Sequence, residues 1–150
     1  MKLPFSVIPT PPDKAFPDRT AVSRPIVGLL LQHNGKQMVV FALIDSGSDS
    51  CVFPASIADS LDIPIPNARS SSFSGSKNEA QMAYFEEVQA TILPMDGPNI
   101  QPDQEPLTFP LYAGFCETLE HVGMGLLGQE GFFSRFTVNF CNAQSFFEIG

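Results

Sequence analysis

Three places in the sequence carry residue types that can do chemistry. The first is Asp45-Ser46-Gly47. An apolar run, Gln37 to Ile44, ends directly on Asp45. A carboxylate at the end of a strand buried on both faces is costly unless it is hydrogen-bonded or neutralised. Gly47 removes the side chain where backbone must approach closely, and its N–H can face the carboxylate. Ser46 supplies a short hydroxyl at the same turn, and Asp49 follows in the same polar stretch. Positioned carboxyl groups are general acid–base equipment. The second place is Gly123-Met-Gly125-Leu-Leu-Gly128, which matches GxGxxG. That fingerprint needs a βαβ unit of about 30 residues and an acidic residue roughly 20 positions further on. Only 22 residues follow Gly128, too few for such a unit, so no dinucleotide cofactor is expected. The third is a dispersed set of serines with His33 and His121. It lacks a GxSxG elbow, and His33 sits in a predicted turn, where an exposed histidine is the expectation. Cys51, Cys116 and Cys141 are widely spaced, with no CxxC and no histidine at ligand spacing. No metal site is expected from them.

The elements that must hold Asp45 can be read outward from it. Pro25 to Gln32 reads as a strand, and Asn34-Gly35 is a strong hairpin signal. Gln37 to Ile44 then returns, so nearly continuously apolar that both of its faces are expected to be buried. After the polar break at Asp45–Ser50, Cys51 to Phe53 is apolar again. Pro54 to Leu61 reads as a short helix, with Ser56 as candidate cap and Ile57 and Leu61 on one face. Arg69 to Lys77 reads as a Ser/Gly loop. Met82 to Leu93 fits strand or helix by period and reads as a strand, because Tyr, Phe, Val, Thr and Ile dominate it and a Ser/Gly turn precedes it. Residues 94–106 hold four prolines and a glycine and read as a loop. Leu107 to Phe115 is a further strand and Gln129 to Phe136 a short helix. Thr137 to Cys141 and Phe146 to Ile149 form a closing hairpin. Five prolines fall within residues 1–20. This predicts a Pro-rich extension ahead of a domain over 21–150, either a strap or a tail. The sum is an all-β chain with one or two short helices.

In this order the pieces resemble a known family, the retropepsin-like aspartic proteases of single-domain bacterial type, over about residues 24 to 149. Arg24 to Leu31 is similar to the first core strand. Val39 to Asp49 looks like the catalytic strand and loop, D-[ST]-G-[AS]-D. Ser70 to Thr91 sits where the flap hairpin should be. Leu126 to Phe140 resembles the hydrophobic-hydrophobic-Gly motif with its helix and final strands. The resemblance implies a single-domain acid-protease barrel. It implies Asp45 as the catalytic carboxylate, Ser46 as a hydroxyl gripping backbone across a dimer axis, and Gly47 as the tight-loop residue that contacts substrate backbone. It further implies that Asp49 holds substrate main chain or braces the loop, that the flap tip lies near Phe73-Ser74-Gly75, and that Leu127 belongs to the substrate-binding set. Two departures stand out. Viral members carry an Arg after the second hydrophobic-hydrophobic-Gly, where this chain has Gln129. The flap region is also Ser-rich where glycines are common.

One carboxylate per chain implies a second chain. Two close carboxyls share one proton, so that one acts as base and the other as acid. The sequence holds one DSG and no DTG, so two Asp45 residues must meet across a two-fold axis. The expected activity is that of a homodimeric aspartic endopeptidase without metal or cofactor. The expected partners are a second copy and a peptide or protein substrate. The net charge is −8, and residues 78–150 hold one basic side chain against ten acidic ones. That balance argues against nucleic acid and anionic membrane as partners. The first residues lack the apolar run of a signal peptide, no stretch approaches a span of about 20 apolar residues, and three free thiols suit a reducing compartment. The expected location is therefore cytoplasmic. Two other readings remain open: a catalytically silent domain of this fold used for peptide binding or dimerisation, and a monomeric barrel in which the DSG turn is incidental.

Overall fold

The computed structural model describes residues 1–65, 69–74 and 80–150, with backbone alone for 69, 71–74, 80 and 81. Its centre is a hairpin. Strand β4 (Ile26–His33) turns at Asn34 and Gly35 into β5 (Lys36–Ile44), pairing Ile26 with Leu43 and His33 with Lys36. Asn34 and Gly35 have φ of 44° and 82°, the left-handed pair that a two-residue hairpin turn requires.

Around this hairpin six strands close into a barrel. The order is β11 (Leu107–Cys116), β6 (Val52–Pro54), β12 (Gly125–Leu127), β5, β4 and β8 (Ala80–Leu93), with β8 pairing back to β11. Strand β7 (Arg69–Ser74) lies outside the closure, paired antiparallel to the first part of β8. Closure leaves each strand one interior face. Alternate residues fill it: Val27, Leu29 and Leu31 from β4, Val40, Ala42 and Ile44 from β5, Leu111, Ala113 and Phe115 from β11. The outer side of β5 is not covered, and Val39 and Phe41 are 51% and 49% exposed. This corrects the expectation of two buried faces. The barrel wall is one sheet thick, and these two side chains stay half-exposed on its outside.

Helix α1 (Ala55–Ser60) closes one end with Ile57 and Ala58, followed by Leu61 and Ile63. Ser56 is not its cap. Pro54 holds that position, and the Glu120 carboxylate receives the Ser56 N–H and hydroxyl at 2.7 and 3.0 Å. The expected helix at Gln129–Phe136 is instead a run of turns. Gly131 has φ +96°, which breaks a right-handed helix. The Phe133 and Ser134 N–H groups reach back to the carbonyls of Gly128 and Gln129, at 3.2 and 3.0 Å. The stretch read as loop from Arg69 is strand as far as Ser74, and residues 75–77 of that reading lie outside the described residues. Within the Pro-rich 94–106 segment, β9 (Met95–Asp96) and β10 (Asn99–Ile100) form a small hairpin.

The first 20 residues contribute strands. β1 (Lys2–Pro4) pairs with β14 (Phe146–Ile149), which also pairs with β13 (Val138–Cys141) as the closing hairpin requires. Leu3 is buried in the main core with Phe147 and Ile149. β2 (Ser6–Pro9) pairs with β3 (Ala21–Arg24).

Candidate active site

Asp45 lies where two strand ends are joined sideways. β12 is inserted between β5 and β6, parallel to the first and antiparallel to the second. The chain between β5 and β6 must therefore arch over the end of β12, and Asp45 to Cys51 form that arch. Asp45 opens it, its N–H donating to the Leu127 carbonyl at 3.0 Å. The carboxylate is half-buried. Its Oδ1 receives the Gly47 N–H at 2.9 Å, while Oδ2 has no hydrogen bond to a described residue. The sequence-based expectation for Gly47 is met by this geometry. A Cβ at position 47 would also stand 3.2 Å from Oδ1.

The rest of the arch is fastened to the turn after β12. The N–H groups of Gln129 and Glu130 donate to the carbonyls of Ser48 and Asp49, at 2.8 and 2.9 Å. Gly128 is the close-approach point, because a Cβ there would lie 2.4 Å from the Ser50 carbonyl oxygen and 2.5 Å from that of Ser48. This is the physical reason for glycine after Leu126-Leu127. Behind it sits the Cys51 thiol, wholly buried. It accepts the Gly128 N–H at 3.3 Å and donates to the Glu130 carbonyl at 3.3 Å. Burial pushes this thiol up from 9.0 to about 11, with the backbone hydrogen bonds from Gly128 and Phe132 opposing the shift.

The other expected site residues are distributed as follows. Ser46 and Asp49 are exposed on the arch. Asp49 makes no ion pair with a described residue. Leu127 is wholly buried in the barrel, so its side chain is not part of an open binding surface, and it serves Asp45 through its carbonyl instead. Phe73 and Ser74 end strand β7, and the β7–β8 pairing brings Ser74 opposite Ala80. Gly75, the last residue of the expected flap tip, lies outside the described residues.

Two participants were not anticipated. Gln129, noted only for what it replaces, donates from Nε2 to the Ser46 carbonyl at 2.7 Å. It thus braces the DSG turn through main chain, without an ion pair. Cys51 carried no signal beyond its place at the start of an apolar run. His33 is not an exposed turn residue but half-buried, with Nδ1 3.1 Å from the Leu61 carbonyl. It ties the hairpin to the end of α1. The GxGxxG glycines open strand β12 and its flanking turns, with no helix following. Among the described residues no three His, Cys, Asp or Glu gather as a metal site, and no helix is long and apolar enough to cross a membrane.

No family model matches the chain, and no curated protein matches it.

Proposed function

We propose that this chain is one protomer of a homodimeric aspartic endopeptidase with a retropepsin-like barrel. The observation that carries the reading is the Asp45 carboxylate. It stands at the end of a core strand on an arch fastened by Gly128, Gln129 and Glu130, with Oδ1 held by the Gly47 N–H and Oδ2 left for other partners. A single carboxylate of this kind completes no hydrolytic site. Two related by a two-fold axis share one proton. The ionised member takes a proton from a bound water, whose oxygen attacks the peptide carbonyl carbon. The protonated member gives its proton to the carbonyl oxygen. The resulting tetrahedral diol collapses with cleavage of the C–N bond: the carboxyl that took the water proton gives it to the leaving amine, and the ionised partner takes one diol O–H proton, which restores the shared-proton pair. The substrate lies extended between the two arches and the β7–β8 hairpins, bonded by its backbone as an added strand. Ser46 and Asp49 are both exposed; in this reading Ser46 grips the opposing arch and Asp49 meets substrate main chain.

The test is Asp45→Asn, assayed on a peptide library from acidic to neutral pH. The variant is expected to fold and dimerise as the wild type does and to cut nothing. Cleavage by the variant would overturn the assignment. The alternative of a silent binding domain draws on Gln129, which braces the arch with a neutral amide. A stable wild-type dimer that cuts at no pH would decide for it.

A further inference from the structure

The β2–β3 hairpin meets the body only near its base, where Ser6 and Val7 border a pocket of about 440 Å³ with Gly28, Phe41 and Met95 of the same chain. The two strands pair only with each other among the described strands, and no residue from Ser6 to Arg24 is buried. An isolated two-stranded ribbon is at best marginally stable in water. Val7 is 67% exposed and its neighbour Ile8 37%. Neighbours on a strand point to opposite faces, so neither face of the ribbon is covered. Yet its tip is ordered. Asp13 Oδ1 accepts the N–H groups of Ala15 and Phe16 at 2.9 and 2.8 Å. Its Oδ2 pairs with Arg19, whose guanidinium lies 4.8 Å from the Phe16 ring centroid. Phe16 remains 57% exposed. A fixed aromatic beside an arginine is the composition of an interface anchor, and fixing it in advance lowers the entropy cost of docking.

We infer that this hairpin is a clasp, which in the homodimer proposed above, on which the inference rests, lies along the exposed β5 stripe of the other protomer. Three observations select a second copy as the occupant. The first is position. The arm joins the barrel at Pro25, whose carbonyl accepts the Ile44 N–H at 2.9 Å, one residue before Asp45. The exposed stripe of Val39 and Phe41 lies on the same strand that leads into Asp45, six and four residues before it. The second is charge. Residues 1–24 carry four basic and two acidic side chains, whereas residues 25–150 carry four basic and fourteen acidic. The arm is opposite in sign to the body it would lie on, which favours its docking there. The third is shape. Beside the stripe is a shallow pocket of about 220 Å³ lined by Met38, Val39, Phe41, Pro54, Ile57 and Glu120. It offers Phe16 an apolar floor, with the Glu120 carboxylate, itself hydrogen-bonded to Ser56, at the rim.

The direct test places p-benzoylphenylalanine at position 16 and irradiates a mixture of isotopically light and heavy chains. The expected product is a mixed-isotope cross-link to the peptide containing Val39–Leu43. Same-chain cross-links alone, or none to that peptide, would overturn the clasp. In parallel, Phe16→Asp is expected to weaken the dimer about tenfold or more in sedimentation, the scale of losing an interface anchor, with an unchanged urea midpoint at concentrations where the wild type is monomeric. Unchanged affinity overturns the clasp and leaves the protease reading standing. A dimer weakened by Phe16→Asp that cuts no peptide supports the clasp and overturns the protease reading. A wild-type chain that stays monomeric overturns both.

Discussion

The Gly47 N–H, 2.9 Å from Asp45 Oδ1, and the Gln129 amide, 2.7 Å from the Ser46 carbonyl, hold the DSG turn without a cation. Main-chain bonds of this kind fix position without committing the carboxylate to an ion pair, and one oxygen of Asp45 stays available. The role of Gly47 was legible from sequence because a glycine two residues after a strand-end aspartate has a local reason. The roles of Gln129 and Cys51 were not, since their partners lie 83 and 77 residues away. Cys51 makes a testable contribution to stability. Its thiol is raised from 9.0 to about 11, chiefly by burial. Below the unfolded value the thiol is neutral in both states. Between the two values only the unfolded chain ionises, so stability is lost as pH rises through that window. A shift of this size corresponds to about 2–3 kcal/mol. In urea unfolding at pH 8, 9, 10 and 11, the stability of Cys51→Ala relative to the wild type should rise by about that amount. Parallel pH profiles for the two proteins would show that the thiol plays no such part.

Elements governed by local rules were readable, and elements governed by distant partners were not. The Asn34-Gly35 hairpin, strand β11 and the helix at Ala55–Ser60 follow from turn chemistry and periodicity, and β8 from its aromatic and β-branched composition. β1 escaped notice because its reason to be a strand is β14, at the other end of the chain. The stretch Gln129–Phe136 misled in the opposite sense. Its Phe132, Phe133 and Phe136 have helical spacing and do gather, with the Phe132 ring 5.3 and 5.4 Å from the other two. Gly131 decides against the helix. Its φ of +96° turns the chain so that Gln129 faces the arch while Phe132 enters the core. An alanine there is strained in backbone, and its Cβ would lie 2.8 Å from Leu111 Cδ1. Gly131→Ala is expected to cost about 1–3 kcal/mol, read as a lower urea midpoint with unchanged slope. An unchanged midpoint would mean that this turn adapts and does not set the geometry of the site.

At the scale of the whole molecule, the chain supplies its own core, with 24 buried residues in one cluster among the described residues, so a single chain has what it needs to fold. In the proposed enzyme it has only half of what it needs to act. Bringing two chains of charge −8 together costs repulsion near neutral pH. Protonating carboxylates relieves it, so the dimer is expected to tighten as pH falls from 7 to 5 in sedimentation equilibrium. A dimer that loosens over that range would count against the pairing. The central claim is that each chain contributes one Asp45 to a shared site, and mixing tests it most directly. Fixed wild-type chain is equilibrated with a ninefold excess of Asp45→Asn chain, at concentrations where both are dimeric, and peptide cleavage is measured. Mass action then leaves about one tenth of wild-type chains in wild-type dimers, so the rate should fall to about a tenth of its starting value. A rate that stays constant as the variant is added would mean that each chain carries a complete site of its own, and would contradict the account.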